Sequence, residues 1–467
     1  MRVAKKLGIC VLSTLVFVFT LSPLQGHSFD LSPTIAATKT ASTEAVRRFG
    51  VQSSVSFITT FHDLEGNPAV YLFLVIKNQD SIPENLKQSV QEGINLLREG
   101  QSLIQTGRNE EGQKLIARGK TLILQEDTYG TLLVSAKPER PSLIAFHHGL
   151  PTYLTARTEA EERAEAFSGG KPVAMLGVLY FSPFEYYFEF EVEGRHILVS
   201  PFDSEVFDRA VLESDIEPSE PPVFESPDEG VADRTQRDLD DRTKENDTEA
   251  SRLYEFPDSL MIAGVPDYNQ RFSLSNSCGP TAGASLLGYW DAQGYENFLQ
   301  GAGTYDDVTQ LIEELCDTMS WNPTFGVYYT HIPIGLQAVN DDRGYEMGIS
   351  TLYAISSLDT IRLEILEGRP FVYGSQENPW GVPHYVVVVG YQGNFIIVHD
   401  NWPTTPVDYF VNWNALGHTD DMITTLIPQG QVGPASQPLP SGYGGSGGGC
   451  FISAVLSESE TGSLVRF

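Results

Sequence analysis

The sequence predicts an α+β protein built as two folded units joined by an acidic segment, and three observations point there. Over residues 53–201, β-branched and aromatic runs alternate with segments of helical period. Over residues 203–255 the composition collapses into Asp, Glu, Ser and Pro. From residue 256 a globular pattern resumes, with a Cys-Gly-Pro helix start and, later, an apolar run that reads as a buried strand. A chain of 467 residues can fill more than one domain-sized core. Its 30 Lys+Arg against 61 Asp+Glu give a formal charge of -31. Phosphate backbones and anionic membrane surfaces repel such a chain, so nucleic acid is excluded as a partner.

The first residues read as a secretory signal peptide over 1–26. Arg2, Lys5 and Lys6 precede an apolar run over 7–21, and Ser22-Pro23-Leu24-Gln25-Gly26 breaks it before a small residue suited to cleavage. The run is too short for a membrane anchor, which needs about 20 apolar residues. Once the signal is removed, no stable span is expected. The expected destination is secretion or the cell envelope. Three cysteines then remain, Cys278, Cys316 and Cys450. An odd count in an oxidising compartment leaves at least one thiol unpaired. Cys316, in a helical stretch over 308–318, reads as a small buried hydrophobe.

In the N-terminal unit, 27–202, residues 55–61 and 69–76 form a hairpin about Leu64-Glu65-Gly66-Asn67. Leu86, Val90, Ile94 and Leu97 then recur at helical spacing, and residues 96–104 are echoed by 115–123, which predicts two paired helices. Strands return over 131–135, 173–181, 185–192 and 196–200, with Glu193-Gly194 as a turn. His147 and His148 sit side by side in a strand, where successive side chains point to opposite faces. With no Cys or acid at ligand spacing, they read as structural or solvent-facing, not as a metal site. The segment 203–255 reads as a flexible linker open to proteolysis.

The chemistry concentrates in the second unit, 256–429. Its basic residues are Arg271, Arg343, Arg362 and Arg369, with no lysine. In Gln270-Arg271-Phe272-Ser273-Leu274-Ser275-Asn276-Ser277-Cys278-Gly279-Pro280, the proline suits a first helical turn, so Cys278 opens a helix. Free N–H groups and the helix dipole favour a thiolate there, below the usual thiol pKa of about 8.5. Gln270, eight residues upstream, can offer its amide beside the Cys278 N–H as an oxyanion hole. His384 stands at the mouth of the apolar run 385–389, and Asp400 closes the next strand, returning to the level of His384. A carboxylate there can fix the imidazole tautomer. Cys278, His384 and Asp400 thus follow the order of a cysteine hydrolase.

Residues 265–427 resemble the papain-like cysteine peptidases, in the branch related to the double-glycine-leader peptidases, the family-39-like group. The resemblance lies in Val265-Pro266-Asp267-Tyr268-Asn269-Gln270, Ser277-Cys278-Gly279-Pro280-Thr281, Gly368-Arg369-Pro370-Phe371-Val372, His384-Tyr385-Val386-Val387-Val388-Val389-Gly390 and Val398-His399-Asp400-Asn401-Trp402. It implies a helix carrying the nucleophile, packed on an antiparallel sheet. It also implies Cys278 as nucleophile, His384 as base, Asp400 as orienter and Gln270 as oxyanion donor, acting on a peptide or protein substrate. Asn401 is an alternative orienter, since papain-like enzymes can use Asn. His399 should face the opposite side of its strand. The chain has no second apolar span and no phosphate loop, which disfavours the transporter-coupled role of some members.

The N-terminal unit resembles bacterial cysteine-peptidase propeptides through residues 130–136 and 141–146, which implies a zymogen. The tail, 430–467, is Gly/Pro-rich and ends in a Cys-Phe-Ile box at Cys450, similar to boxes in secreted bacterial proteins that imply surface sorting. Two alternatives to an endopeptidase stay open: a non-catalytic binding module of the same fold, and a thiol amidase or acyltransferase acting on a non-peptide substrate. Neither a His-Glu-x-x-His pattern nor a calcium-loop spacing occurs, so no metal or cofactor is expected.

Overall fold

The computed structural model describes residues 32–77, 86–105, 108–202, 206–210, 256–270, 276–299, 305–323, 326–353, 355, 357–375, 384–416 and 421–428. The signal segment, the tail with Cys450, Arg271 and most of 203–255 lie outside these residues.

The N-terminal unit begins with α1 (Ile35–Phe49), whose first turn is capped by the Thr34 hydroxyl accepting from the Ala37 N–H. The hairpin β1 (Ser54–His62) and β2 (Pro68–Ile76) follows. Next come α2 (Leu86–Gln105) and α3 (Asn109–Leu124), the paired helices that the internal echo predicts. Glycines let them approach closely: a Cβ on Gly100 would stand 2.6 Å from the Gly112 carbonyl oxygen. Strands β3 (Tyr129–Ser135), β4 (Leu143–His148), β5 (Ala174–Ser182), β6 (Glu185–Val192) and β7 (Arg195–Val199) follow the expected pattern, with an unforeseen helix, α4 (Thr152–Phe167), between β4 and β5. Glu193 and Gly194, at φ 51° and 77°, make the tight turn before β7.

The expected boundary at residue 202 falls short. Strand β8 (Val206–Asp208) continues the sheet by pairing with β7, and Phe207 packs edge-on to Tyr187 at 5.2 Å. Three residues at the start of the acidic segment are therefore tied down by backbone pairing and one aromatic contact.

The C-terminal unit contains β9 (Ser259–Met261), α5 (Cys278–Ala292), α6 (Tyr305–Thr318), α7 (His331–Asp342), β10 (Gly348–Tyr353), α8 (Leu358–Leu366), β11 (Phe371–Ser375), β12 (His384–Gln392), β13 (Phe395–His399), β14 (Tyr409–Asn412) and β15 (Met422–Ile427). One mostly antiparallel sheet runs through both units in the order β10-β15-β11-β12-β13-β14-β4-β3-β2-β1-β5-β6-β7-β8, with β9 added on β12. The units join at β14 and β4, where Tyr409 faces His147 and Val411 faces Ala145. Strand β12 reads as an unbroken apolar run because both of its faces are buried. Tyr385, Val387 and Val389 meet α5, α6 and α7. Val386 and Val388 belong to the core that α8 and the N-terminal unit share. Among the described residues, no helix is long and apolar enough to cross a membrane.

Candidate active site

Helix α5 brings Cys278 to the end of the sheet where β12 begins. The helix is buried along almost its whole length, which its small residues permit. A Cβ on Gly279 would lie 3.2 Å from the Tyr385 ring, so the residue after the cysteine sits directly on the residue after His384. Cys278 forms no disulfide among the described residues and is 9% exposed. Cys316 likewise forms no disulfide among the described residues and lies in the helical core.

Gln270 reaches the same place from the other side. Its N–H donates to the Asn401 carbonyl at 2.7 Å. Its side chain is 3% exposed, and both amide atoms lack a partner among the described residues. A buried amide without partners costs free energy comparable to a lost hydrogen bond, unless a ligand oxygen arrives to use it. Asn401 is completely buried, and its Nδ2 donates to the Tyr385 carbonyl at 3.0 Å. Gln270 is thus linked to Asn401, Asn401 to Tyr385, and Tyr385 to the site of Gly279, at the residue after His384.

The His384 ring stacks on Trp402, with centroids 5.2 Å apart and planes 8° from parallel. Phe184, from the turn between β5 and β6, lies 5.9 Å away, and Phe202 stacks on the other side of Trp402 at 5.1 Å. Burial among these rings pulls the His384 pKa down to about 4, opposed by a hydrogen bond to the Asp400 main chain. Its Nε2 has no partner among the described residues.

The sequence assigns the Asp400 carboxylate to the imidazole. In the structure it is the main chain of Asp400 that meets the ring. The carboxylate turns to Thr405, accepting from its hydroxyl at 2.5 Å, and to the Trp402 N–H at 3.1 Å. It borders a small cavity with Thr131, Tyr186 and Tyr409. Burial, with Asp267 nearby, raises the Asp400 pKa to about 7; the Thr405 and Trp402 hydrogen bonds oppose the rise.

His399 faces the other side of β13, as the sequence leads one to expect. Its ring lies 3.4 Å from both the Pro266 carbonyl oxygen and the Asp408 carboxylate. Burial alone would lower its pKa, but Asp408 and Asp267 raise it. The neighbouring histidines of β4 also part company. His147 is buried beside Tyr409, with ring centroids 5.4 Å apart. The His148 Nδ1 meets Lys77 Nζ at 2.8 Å. No cluster of three or more His, Cys, Asp or Glu suited to a metal occurs among the described residues.

Residues 262–420 match the Peptidase C39 like family. That match covers about a third of the chain, makes this unit similar to C39-like peptidases, and spans Gln270, Cys278, His384, Asp400 and Asn401. Among solved structures, the chain is similar to a mutant fragment of prointerpain A from Prevotella intermedia. The identity is 12%, with 63% of this chain and 91% of that one covered and a TM-score of 0.31. It is also similar to a Bacillus anthracis protein described as a C39-like peptidase, at 14% identity, 36% and 96% coverage and a TM-score of 0.26. A third likeness is to the peptidase domain of Streptococcus ComA, a bifunctional transporter, at 18% identity, 35% and 97% coverage and a TM-score of 0.24. No curated protein matches.

The aromatic neighbours of the C39-like site were not legible as such. Trp402 stands in a quoted motif without a role, and Phe184 and Phe202 lie far away in sequence. A Pro-Phe turn has no chemical signature that would assign it to an imidazole.

Proposed function

We propose that this chain is an exported cysteine endopeptidase made in a latent form. The observation that carries the reading is that Gly279, next to Cys278, packs on Tyr385, next to His384, while Gln270, with a buried unpartnered amide, is bonded to Asn401, which is bonded to Tyr385. In the open enzyme His384 takes the Cys278 proton, and Sγ adds to the scissile carbonyl carbon. The oxygen gains negative charge, which the Gln270 amide and the Cys278 N–H stabilise. Collapse breaks the C–N bond, and the leaving amine takes the proton from His384. Water, deprotonated by His384, then cleaves the thioester and restores the thiol. Asp400, freed from Thr405, would orient the imidazole.

Latency follows from the cover. Phe184 and Phe202 hold the His384–Trp402 stack and keep the imidazole neutral over most of the pH range, so it forms no ion pair with a thiolate. Cutting in the 203–255 segment begins removal of the N-terminal unit. The signal segment supports export, and the Cys450 box supports sorting at the envelope. Cationic peptides suit a peptidase unit with so few basic residues: Arg343, Arg362 and Arg369 are each paired with a carboxylate.

The test is a peptide-library digest with the activated protein and its Cys278→Ala variant. Cleavage should vanish in the variant, and iodoacetamide labelling of Cys278 should slow in His384→Ala. Full cleavage by Cys278→Ala would sink the reading.

A further inference from the structure

Asn401 carries more structure than a residue beside a catalytic acid needs. It holds a left-handed backbone at φ 65°, a conformation costly to most side chains but tolerated by Asn. Two of its groups are engaged. Its carbonyl accepts from the Gln270 N–H at 2.7 Å, and its Nδ2 donates to the Tyr385 carbonyl at 3.0 Å. The first bond holds the 267–270 segment at Gln270. The second ties that hold to β12, one residue from His384.

We propose that Asn401 is a positioning residue: it clamps the 267–270 segment onto the start of β12 and so sets where the Gln270 amide stands relative to His384. This rests on the peptidase reading above. Its amide is spent on the Tyr385 carbonyl, so it acts through Gln270 and not on the imidazole. The left-handed turn is what lets one residue present its carbonyl to Gln270 while its side chain reaches β12.

Asn401→Gly keeps the left-handed backbone and its main-chain bond to Gln270, and removes the bond to Tyr385. In the full chain after proteolytic activation, kcat for a peptide substrate should fall about 10- to 100-fold with KM nearly unchanged. Alkylation of Cys278 by iodoacetamide needs the thiolate but no oxyanion donor, so its rate and pH profile should stay as in wild type. Gln270→Ala should lose about 10²- to 10³-fold in kcat, and the double variant no more than that. An unchanged kcat in Asn401→Gly, a shifted alkylation profile, or losses that multiply in the double variant would each overturn the assignment. If Cys278→Ala cleaves like wild type, the peptidase reading fails separately. Hydrogen exchange at the Gln270 N–H of the uncut chain still decides the clamp: it should quicken about tenfold in Asn401→Gly, and unchanged exchange would refute it.

Discussion

Asp400→Asn should stabilise the uncut protein at pH 8 and leave it unchanged at pH 4. The Asp400 carboxyl is 2% exposed, and its pKa rises from 3.8 to about 7, first through burial and then through Asp267. The folded state therefore keeps a proton that the unfolded state has lost between those two values, and stability falls as pH rises across that window. Above about pH 7 the full penalty is present. Three pH units at 1.36 kcal/mol each is ~4 kcal/mol, an upper figure because water penetration and relaxation reduce it. Asn removes the charge and keeps an oxygen that can accept from Thr405 and from the Trp402 N–H. His384 and His147, both pulled to about 4 by burial, give the opposite slope between about pH 4 and 6.5. They are common to both proteins and cancel in the comparison. The assay is urea unfolding of Cys278→Ala with and without Asp400→Asn, from pH 4 to 8. The gap should open between pH 4 and 7 in favour of the Asn variant and reach a few kcal/mol. A gap that is flat with pH, or that favours Asp at pH 8, refutes the reasoning.

Two further outcomes follow from particular contacts. Phe184→Ala removes a ring that packs on both His384 and Tyr409, at a cost of ~3 kcal/mol. Iodoacetamide should then label Cys278 in the uncut chain about 100-fold faster than in wild type, while Phe184→Leu stays near wild type. Gly100→Ala places a methyl against the Gly112 carbonyl and Ile116. It should destabilise the α2–α3 pair by ~1–3 kcal/mol, read as a lower urea midpoint.

Much of the sheet was legible because strand side chains alternate and turns carry Gly. The run from Tyr385 to Val389 announces burial on both faces, and the echo of 96–104 in 115–123 announces the helix pair. The helices α1 and α4 escaped notice for a physical reason. Their buried stripes are Ala37, Ala41, Ala45 and Ala156, Ala160, Ala164, and alanine contributes little hydrophobic contrast at helical spacing. At the candidate site, the sequence offers residue types and an order, which stand as an expectation. The direction of the Asp400 carboxylate was not legible, because alternation fixes a face of the strand while Thr405 and Trp402 decide which neighbour on that face receives the oxygens. The cover of Phe184 and Phe202 was hidden too, since only tertiary packing brings them to His384.

The seam between β14 and β4 bears on how such a protein could be switched on. The two halves share main-chain ladder bonds, a common apolar interior on one side and the Phe146–Phe410 and Phe146–Phe395 contacts on the other. Severing the acidic tether leaves every one of these in place, so a nicked molecule should still migrate as a single particle. On the latent-enzyme proposal, activation would then require the N-terminal unit itself to come apart, at a pace set by how readily that unit unfolds.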